Sequence, residues 1–287
     1  LLRKLNQVLT KRFLRFLAEQ AKKEPETYLE FWKEFGLLIK EGAATDFTHK
    51  ENLAKLLRFE SSGLDSGALT GLEEYASRIT GDQKEIIYLF GRNREAIEAG
   101  PYLEALNARN LEVLILPDPV DEYVMQTLGE FDGKKLVSGD SEDLKLEKLD
   151  DEPEGKRLNK KDTKSLCKWL KESLGDRVSE VEEGERLIDS PVCVVGGDAM
   201  GGPSARRMMK MMQGDYSSLP APSVKLQINL RHAIIRGLSE LRDSNADTAS
   251  LVAHQLLDNA LASADLLEDP REMISRSFQA LEKLTAT

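Results

Sequence analysis

A strand-like segment followed by a glycine-rich loop is the first stretch whose residue types could do chemistry. It reads PVCVVGGDAMGGPSARR over residues 191–207. The backbone amides of such a loop can hold a phosphate or another anion. However, Gly201 is followed by Gly202 and Pro203 instead of the Lys-Ser/Thr pair of a P-loop, and the glycine spacing of a dinucleotide site is absent. An enzyme that binds a nucleotide or anion at Gly197–Gly202 therefore stays only as an alternative.

Residue types suited to nucleophilic or metal-dependent catalysis do not form a set along the chain. The three histidines, His49, His232 and His254, have no second histidine four residues away and no cysteine pair nearby, so we expect surface or helix-capping roles. No G-x-S-x-G motif occurs. The two cysteines, Cys167 and Cys193, are too few for a disulfide scaffold and fit a reducing compartment. We predict no catalytic residue, metal site or cofactor in this chain.

Methionines are concentrated in one short segment. Five of the seven lie between residues 200 and 212. On a helix over 203–212, four of these methionines share one arc and three basic residues occupy the opposite arc. Methionine suits an apolar surface that adapts to different partners. The pattern predicts a protein-binding face, with burial of that face in its own domain as the alternative; its residues are Met208, Met209, Met211 and Met212.

The length and charge of the chain indicate its number of domains and exclude some classes of partner. The 287 residues suggest two domains, and 40 basic against 50 acidic residues give a net charge of −10. This acidic balance argues against nonspecific binding of nucleic acid. No apolar run approaches 18 residues, so we predict no membrane span. The chain starts at Leu1 within a helical pattern, and we therefore expect it to be part of a longer protein.

Residues 1–60 have helical periodicity. We predict helices near the start, over 28–39 and over 51–60, and we expect the apolar face of the first helix to pack in a core. That face comprises Leu2, Leu5, Leu9, Phe13, Phe16 and Leu17.

The period changes after residue 72. Short apolar runs at 85–90 and 111–116 flank a helical pattern, which predicts a βαβ unit with parallel strands. Asp118 and Pro119 then predict the start of another helix, and residues 134–138 a third strand.

A highly charged stretch over 139–162 marks the best domain boundary, so we predict domains over 1–150 and 151–287. The second domain should contain an amphipathic helix that ends at Gly175, strands over 191–195 and 225–230, and two terminal helices. The predicted fold class is thus α/β and α+β. A helical segment precedes a small βαβ layer, and a mixed α+β domain ends in a helix pair.

The two terminal helices predict an interface. Two short helices bury little surface alone, whereas two copies of the pair can form a four-helix bundle. Docking of the pair onto its own domain is an equal alternative at this point. The candidate residues are Ala253, Leu256, Leu257 and Ala260 on the first helix, and Ile274, Phe278 and Leu281 on the second.

Several collinear segments resemble the heat-shock protein 90 chaperone family, especially its bacterial HtpG branch. They include FWKEFGLLIKEG, LAKLLRFESS, YASRITGDQKEIIYLF, LEVLILPDPVDEYVMQTLGEFDGK and RLIDSPVCVV, and together they cover almost the whole chain. The resemblance implies that residues 1 to about 150 are the later part of the family's middle domain. The remainder would be the C-terminal dimerisation domain.

The resemblance also implies partners. Non-native client proteins would contact the methionine helix at 203–213 and a second area at Glu122, Tyr123 and Gln126, where bacterial members often carry Trp in place of Tyr123. A second copy of the chain would bind the terminal helices; a plain dimeric scaffold is the other alternative.

ATP and magnesium would belong to a domain upstream, so this chain alone should not hydrolyse ATP. The ending LEKLTAT lacks the acidic tail of eukaryotic cytosolic members, which favours a bacterial cytoplasm and leaves an organelle open.

Overall fold

The structure is a computed structural model that describes residues 2–81, 83–147, 156–196, 223–267 and 269–285. The chain forms two compact units, Leu1–Arg94 with Glu112–Ser138 and Glu95–Leu111 with Gly139–Thr287. The domain boundary at 150/151 lies outside the described residues and stays a prediction.

The first unit combines helices with a six-stranded sheet of order β2-β1-β4-β3-β6-β5. Strands β4, β3 and β6 are parallel neighbours, which confirms the predicted parallel pair, and the outer pairings are antiparallel. The helices are α1 (Leu2–Lys23), α2 (Pro25–Thr45), α3 (Lys50–Ala54) and α4 (Leu72–Arg78), with α7 (Pro119–Leu128) later in the chain. The strands are β1 (Phe59–Ser61), β2 (Leu69–Thr70), β3 (Glu85–Phe90), β4 (Leu114–Leu116), β5 (Glu130–Phe131) and β6 (Lys134–Ser138).

The helix predicted over 51–60 is wrong in its second half. Helix α3 ends at Ala54, and β1 begins at Phe59 and pairs with β2 and β4. Phe59 and Ser61 are buried on one side of this strand while Glu60 is half-buried. Pairing with two neighbouring strands therefore overrides the local helical pattern.

The core face predicted for α1 is confirmed only at Leu17. Among the residues of this helix whose burial the structure describes, Leu14, Leu17 and Ala21 contribute to the core. Leu5 and Phe13 are each 53% exposed, because they point away from the α2 and α3 helices against which α1 packs.

The second unit has a three-stranded sheet of order β7-β9-β8, in which β7 and β9 are parallel and β8 is antiparallel to β9. Its strands are β7 (Val178–Glu183), β8 (Val192–Val195) and β9 (Val224–Ile228). All of α5 (Arg94–Glu98) except Arg94 belongs here, together with α6 (Pro101–Asn107), α8 (Lys160–Leu174), α9 (Ala233–Ser244), α10 (Ala246–Ser263) and α11 (Pro270–Thr285).

Local signals define both ends of α8: its end at Gly175 is as predicted, whereas its start at Lys160 falls within the stretch over 139–162 that we expect to be a domain boundary. Asn159 caps its start by accepting from the amides of Lys161 and Asp162, and Gly175 ends it with a positive φ of 60°. The helix buries Leu166 and other leucines at i+4 spacing and packs against β7. The mixed α/β and α+β fold class is confirmed.

Candidate interaction surfaces

Helix α11 presents an apolar stripe to solvent. Pro270 is its first residue, and the carboxylate of Asp269 accepts from the amide of Arg271 at 2.9 Å. Every residue of α11 keeps some exposure to solvent. The exposed fractions of Ile274, Phe278 and Leu281 are 47%, 62% and 52%, and we call these three residues the α11 stripe.

An adjacent face of α11 packs against α10 with residues that are less hydrophobic than the α11 stripe. Met273, Ser277 and Ala280 are half-buried. Near the end of the helix, the ammonium of Lys283 donates to the hydroxyl of Thr248 on α10 at 3.1 Å. The inner face is thus less hydrophobic than the α11 stripe.

A buried carboxylate on α10 ties α11 in place. The side chain of Asp258 has no exposure, and its Oδ2 accepts from Nε of Arg276 on α11 at 2.7 Å and from Nη2 at 2.6 Å. Its Oδ1 accepts from Nη2 of Arg177 at 2.5 Å. Both carboxylate oxygens therefore have a charged partner, as a buried ion needs. We call Asp258, Arg177 and Arg276 the α10 charge cluster.

His254 lies one helical turn before Asp258. Its Nδ1 is 3.4 Å from Nη1 of Arg177. Burial lowers the pKa of His254, and the positive charges of Arg177 and Arg276 lower it further, against the opposing effect of Asp258. The neutral imidazole is therefore the form that this environment favours.

The α10 residues predicted for a dimer interface are already covered by their own unit. Helix α10 packs against β8, α8, α9 and α11. As a result, the surface that the terminal pair leaves open to another molecule comes mainly from α11. The four α10 residues are Ala253, Leu256, Leu257 and Ala260, with exposed fractions of 0–6%.

The second predicted client area lies on α7, and its three residues differ in exposure. Glu122 is fully buried, Tyr123 is half-buried and Gln126 is exposed. The Gln126 amide donates to the Glu122 carboxylate at 3.5 Å, so these two side chains are neighbours on the helix. Only Gln126 and part of Tyr123 are open to a protein partner in this arrangement.

A second charge cluster holds the start of α7. The ammonium of Lys40 on α2 lies 2.5 Å from the exposed carboxylate of Asp118 and 2.8 Å from the buried carboxylate of Asp121. Burial raises the pKa of Asp121 to about 6, although the charge of Lys40 acts in the opposite direction. We call these three residues the α7 charge cluster.

The predicted methionine face and the glycine-rich loop both lie outside the described residues. This applies to Met208, Met209, Met211 and Met212 and to Gly197–Gly202. The strands that flank them are described. Lys225 of β9 donates its amide to the carbonyl of Gly196 at 2.9 Å, so the chain leaves and returns at one end of the β8–β9 pair.

Sequence reasoning missed both charge clusters. Asp258 carries a weak signal, an acidic residue at the edge of the apolar arc of α10. Its partners Arg177 and Arg276 have none, because they lie 81 and 18 residues away. Lys40 and Asp121 are likewise 81 residues apart.

The described residues lack two further kinds of feature, a metal-binding cluster and a membrane-spanning helix. Within those residues, no group of three or more His, Cys, Asp and Glu side chains is placed to hold a metal ion. Among the described helices, none has both the length and the apolar character required to cross a membrane.

Comparison with known proteins identifies the family to which the chain belongs. A model of the family described as "Hsp90 protein" matches residues 1–286. The chain therefore belongs to the Hsp90 family, as the sequence resemblance indicates.

Named relatives agree with this assignment. "Chaperone protein HtpG" of Desulfitobacterium hafniense (strain Y51) is 44% identical over 99% of this chain and 46% of the relative. "Heat shock protein 75 kDa, mitochondrial" of Bos taurus is 39% identical over 99% of this chain and 41% of the relative. The chain spans about half the length of the curated relatives it matches.

Proposed function

We propose that this chain is the dimerising and client-binding part of a molecular chaperone of the Hsp90 family. The relatives are named as chaperones and heat-shock proteins, which supports the chaperone class. The observation that carries the dimer is the α11 stripe, an apolar surface on a helix whose every residue is at least partly exposed. An apolar surface of this kind gains free energy when a second molecule covers it.

The proposed second molecule is another copy of the chain. Burying one apolar side chain gains about 1.5–3 kcal/mol, so six half-exposed side chains from two stripes contribute roughly 5–9 kcal/mol. That is comparable with the cost of association. The half-buried Leu251 and Val252 of α10 must therefore add to the interface. A four-helix bundle of two α10–α11 pairs does this.

Sedimentation equilibrium of the whole chain tests the dimer. We expect a mass near twice 32.1 kDa, and a monomer when Ile274, Phe278 and Leu281 are all changed to Ser. The matched control is Leu37→Ser with Leu38→Ser, which removes exposed leucines from α2 instead. A monomeric unsubstituted chain, or a triple variant that stays dimeric, would contradict the proposal.

Client binding is proposed for the methionine segment and the exposed part of α7. Two copies of a weak apolar contact gain avidity without sequence selectivity, which suits partners that share only exposed apolar side chains. In this proposal ATP and magnesium act elsewhere in the intact protein, and this chain contributes binding without catalysis. We propose a bacterial cytoplasmic location, with an organelle as the alternative because mitochondrial relatives exist.

Suppression of aggregation tests client binding. We expect the chain to slow the aggregation of a chemically unfolded test protein, and the effect to be largely lost when Met208, Met209, Met211 and Met212 are all changed to Ser. The same Leu37→Ser, Leu38→Ser variant is the control, since it removes exposed apolar residues at another place. Equal suppression by the methionine variant would refute the assignment.

A further inference from the structure

Helix α11 has two adjacent stripes of side chains, and either stripe could pack against α10. The α11 stripe consists of residues 274, 278 and 281, and the inner stripe that faces α10 consists of 273, 277 and 280. The two sets differ by one residue, which corresponds to a rotation of the helix by about 100°. Because Ile, Phe and Leu are more hydrophobic than Met, Ser and Ala, apolar burial within one chain favours the rotated helix.

The α10 charge cluster opposes that rotation. Arg276 is next to the inner stripe and reaches the fully buried Asp258 with two nitrogens. A rotated α11 would withdraw this guanidinium from a carboxylate that has no contact with water. The exposed Glu272, 3.4 Å from Nη1 of Arg276 on the same helix, would move with it and could not replace Asp258.

We propose that Asp258 is a positioning residue: through Arg276 it fixes the rotation of α11 so that the apolar stripe faces outward to receive a second copy of the chain. The binding of the second copy rests on the proposed function, whereas the rotation does not. Arg177 has a separate role, because it pairs with the other carboxylate oxygen and remains a partner of Asp258 when α11 is altered.

The charges around the cluster fit this assignment. Around the cluster lie His254 on α10, Lys283 on α11 and Arg177, which follows the end of α8, so Asp258 is the buried acceptor toward which Arg276 is drawn. The cluster therefore selects the orientation of α11 against the preference of apolar burial, a recognised use of buried polar groups.

Substitution Arg276→Gln tests the proposal in a chain in which Asp258 keeps Arg177. Hydroxyl-radical footprinting is performed at concentrations where sedimentation shows monomers. We expect the reactivity of Phe278 and Ile274 to fall at least threefold and that of Met273 to rise, because α11 rotates. The dimer dissociation constant should rise at least tenfold. Arg276→Lys keeps the charge and should restore most of both values.

Arg271→Gln is the matched control, since Arg271 pairs with the exposed Asp269 on the same helix. It should change neither the footprint nor the dimer. A purely stabilising role for Arg276 would weaken the dimer or lower stability while Phe278 stays as reactive as before, and that result overturns the proposal. Asp258→Asn should shift the footprint in the same direction as Arg276→Gln, and an unchanged footprint again overturns it. If the unsubstituted chain is monomeric at every concentration, the dimer proposal fails while the footprint still decides the rotation.

Discussion

Helices α7 and α11 both carry predicted contact residues, yet they are held in different ways. Helix α7 buries five residues, including Val124, Met125 and Leu128, so the core of the first unit fixes its orientation. Helix α11 keeps every residue at least partly exposed and depends on contacts with α10. Packing in the core therefore orients α7, whereas in our proposal the contact between Arg276 and Asp258 orients α11.

The two charge clusters also differ in their ratio of positive to negative groups. In the α7 charge cluster one ammonium faces two carboxylates, whereas in the α10 charge cluster two guanidinium groups share one carboxylate. Lys40 lies near the rings of Trp32 and Phe59, with its nitrogen 6.0 and 5.6 Å from their centroids. The first cluster is therefore short of positive charge, and this agrees with the raised pKa of Asp121.

Removing the single cation of the α7 charge cluster should have the largest effect. Lys40→Met leaves Asp121 buried without its counter-charge, which typically costs about 3–5 kcal/mol. We expect the free energy of unfolding of the first unit to fall by that amount in urea titrations. Lys22→Met is the control, because Lys22 pairs with Glu73 in solvent and should cost less than about 1 kcal/mol. Equal losses from both variants would show that the α7 charge cluster has no special role.

Removing the titration of Asp121 should have a smaller effect than Lys40→Met, and this effect should appear in the pH dependence of the free energy of unfolding. The folded pKa of Asp121, about 6, lies above the ordinary value of 3.8, so the folded state holds this proton more tightly. The protonated Asp121 therefore adds about 3 kcal/mol to the free energy of unfolding below pH 3.8. This stabilisation is lost as the pH rises through 6. Asp121→Asn should remove this loss when unfolding is compared at pH 4 and pH 6.5. Asp118→Asn should keep most of it, since burial is the largest cause of the raised pKa. An unchanged slope in Asp121→Asn would contradict the assignment.

Features set by neighbouring residues could be predicted from the sequence, and features set by distant ones could not. The start of α11 at Asp269 and the end of α8 at Gly175 follow from local capping. The strand at Phe59 depends on pairing with residues more than 50 positions away, and the local pattern favours a helix there.

The candidate surfaces show the same limit. The apolar periodicity of α11 predicts one exposed or buried stripe, but it cannot decide which side faces α10. In our proposal that choice depends on Asp258 and Arg276, whose contact forms only when the two helices pack together. The α10 residues predicted for an interface are closely packed. The structure shows, however, that their neighbours are β8, α8 and α9 of the same unit.

The meeting of β8 and β9 at Gly196 and Lys225 has a consequence for how this family can diversify. Both ends of the segment over 197–222 are attached to adjacent strands of one antiparallel pair, so the sheet does not depend on the length of chain between them. Doubling the length of a closed loop costs only about 0.6 kcal/mol. Insertions, deletions and whole replacements in this segment should therefore be tolerated by the fold. The methionine segment can therefore change in length and sequence while β8 and β9 stay paired.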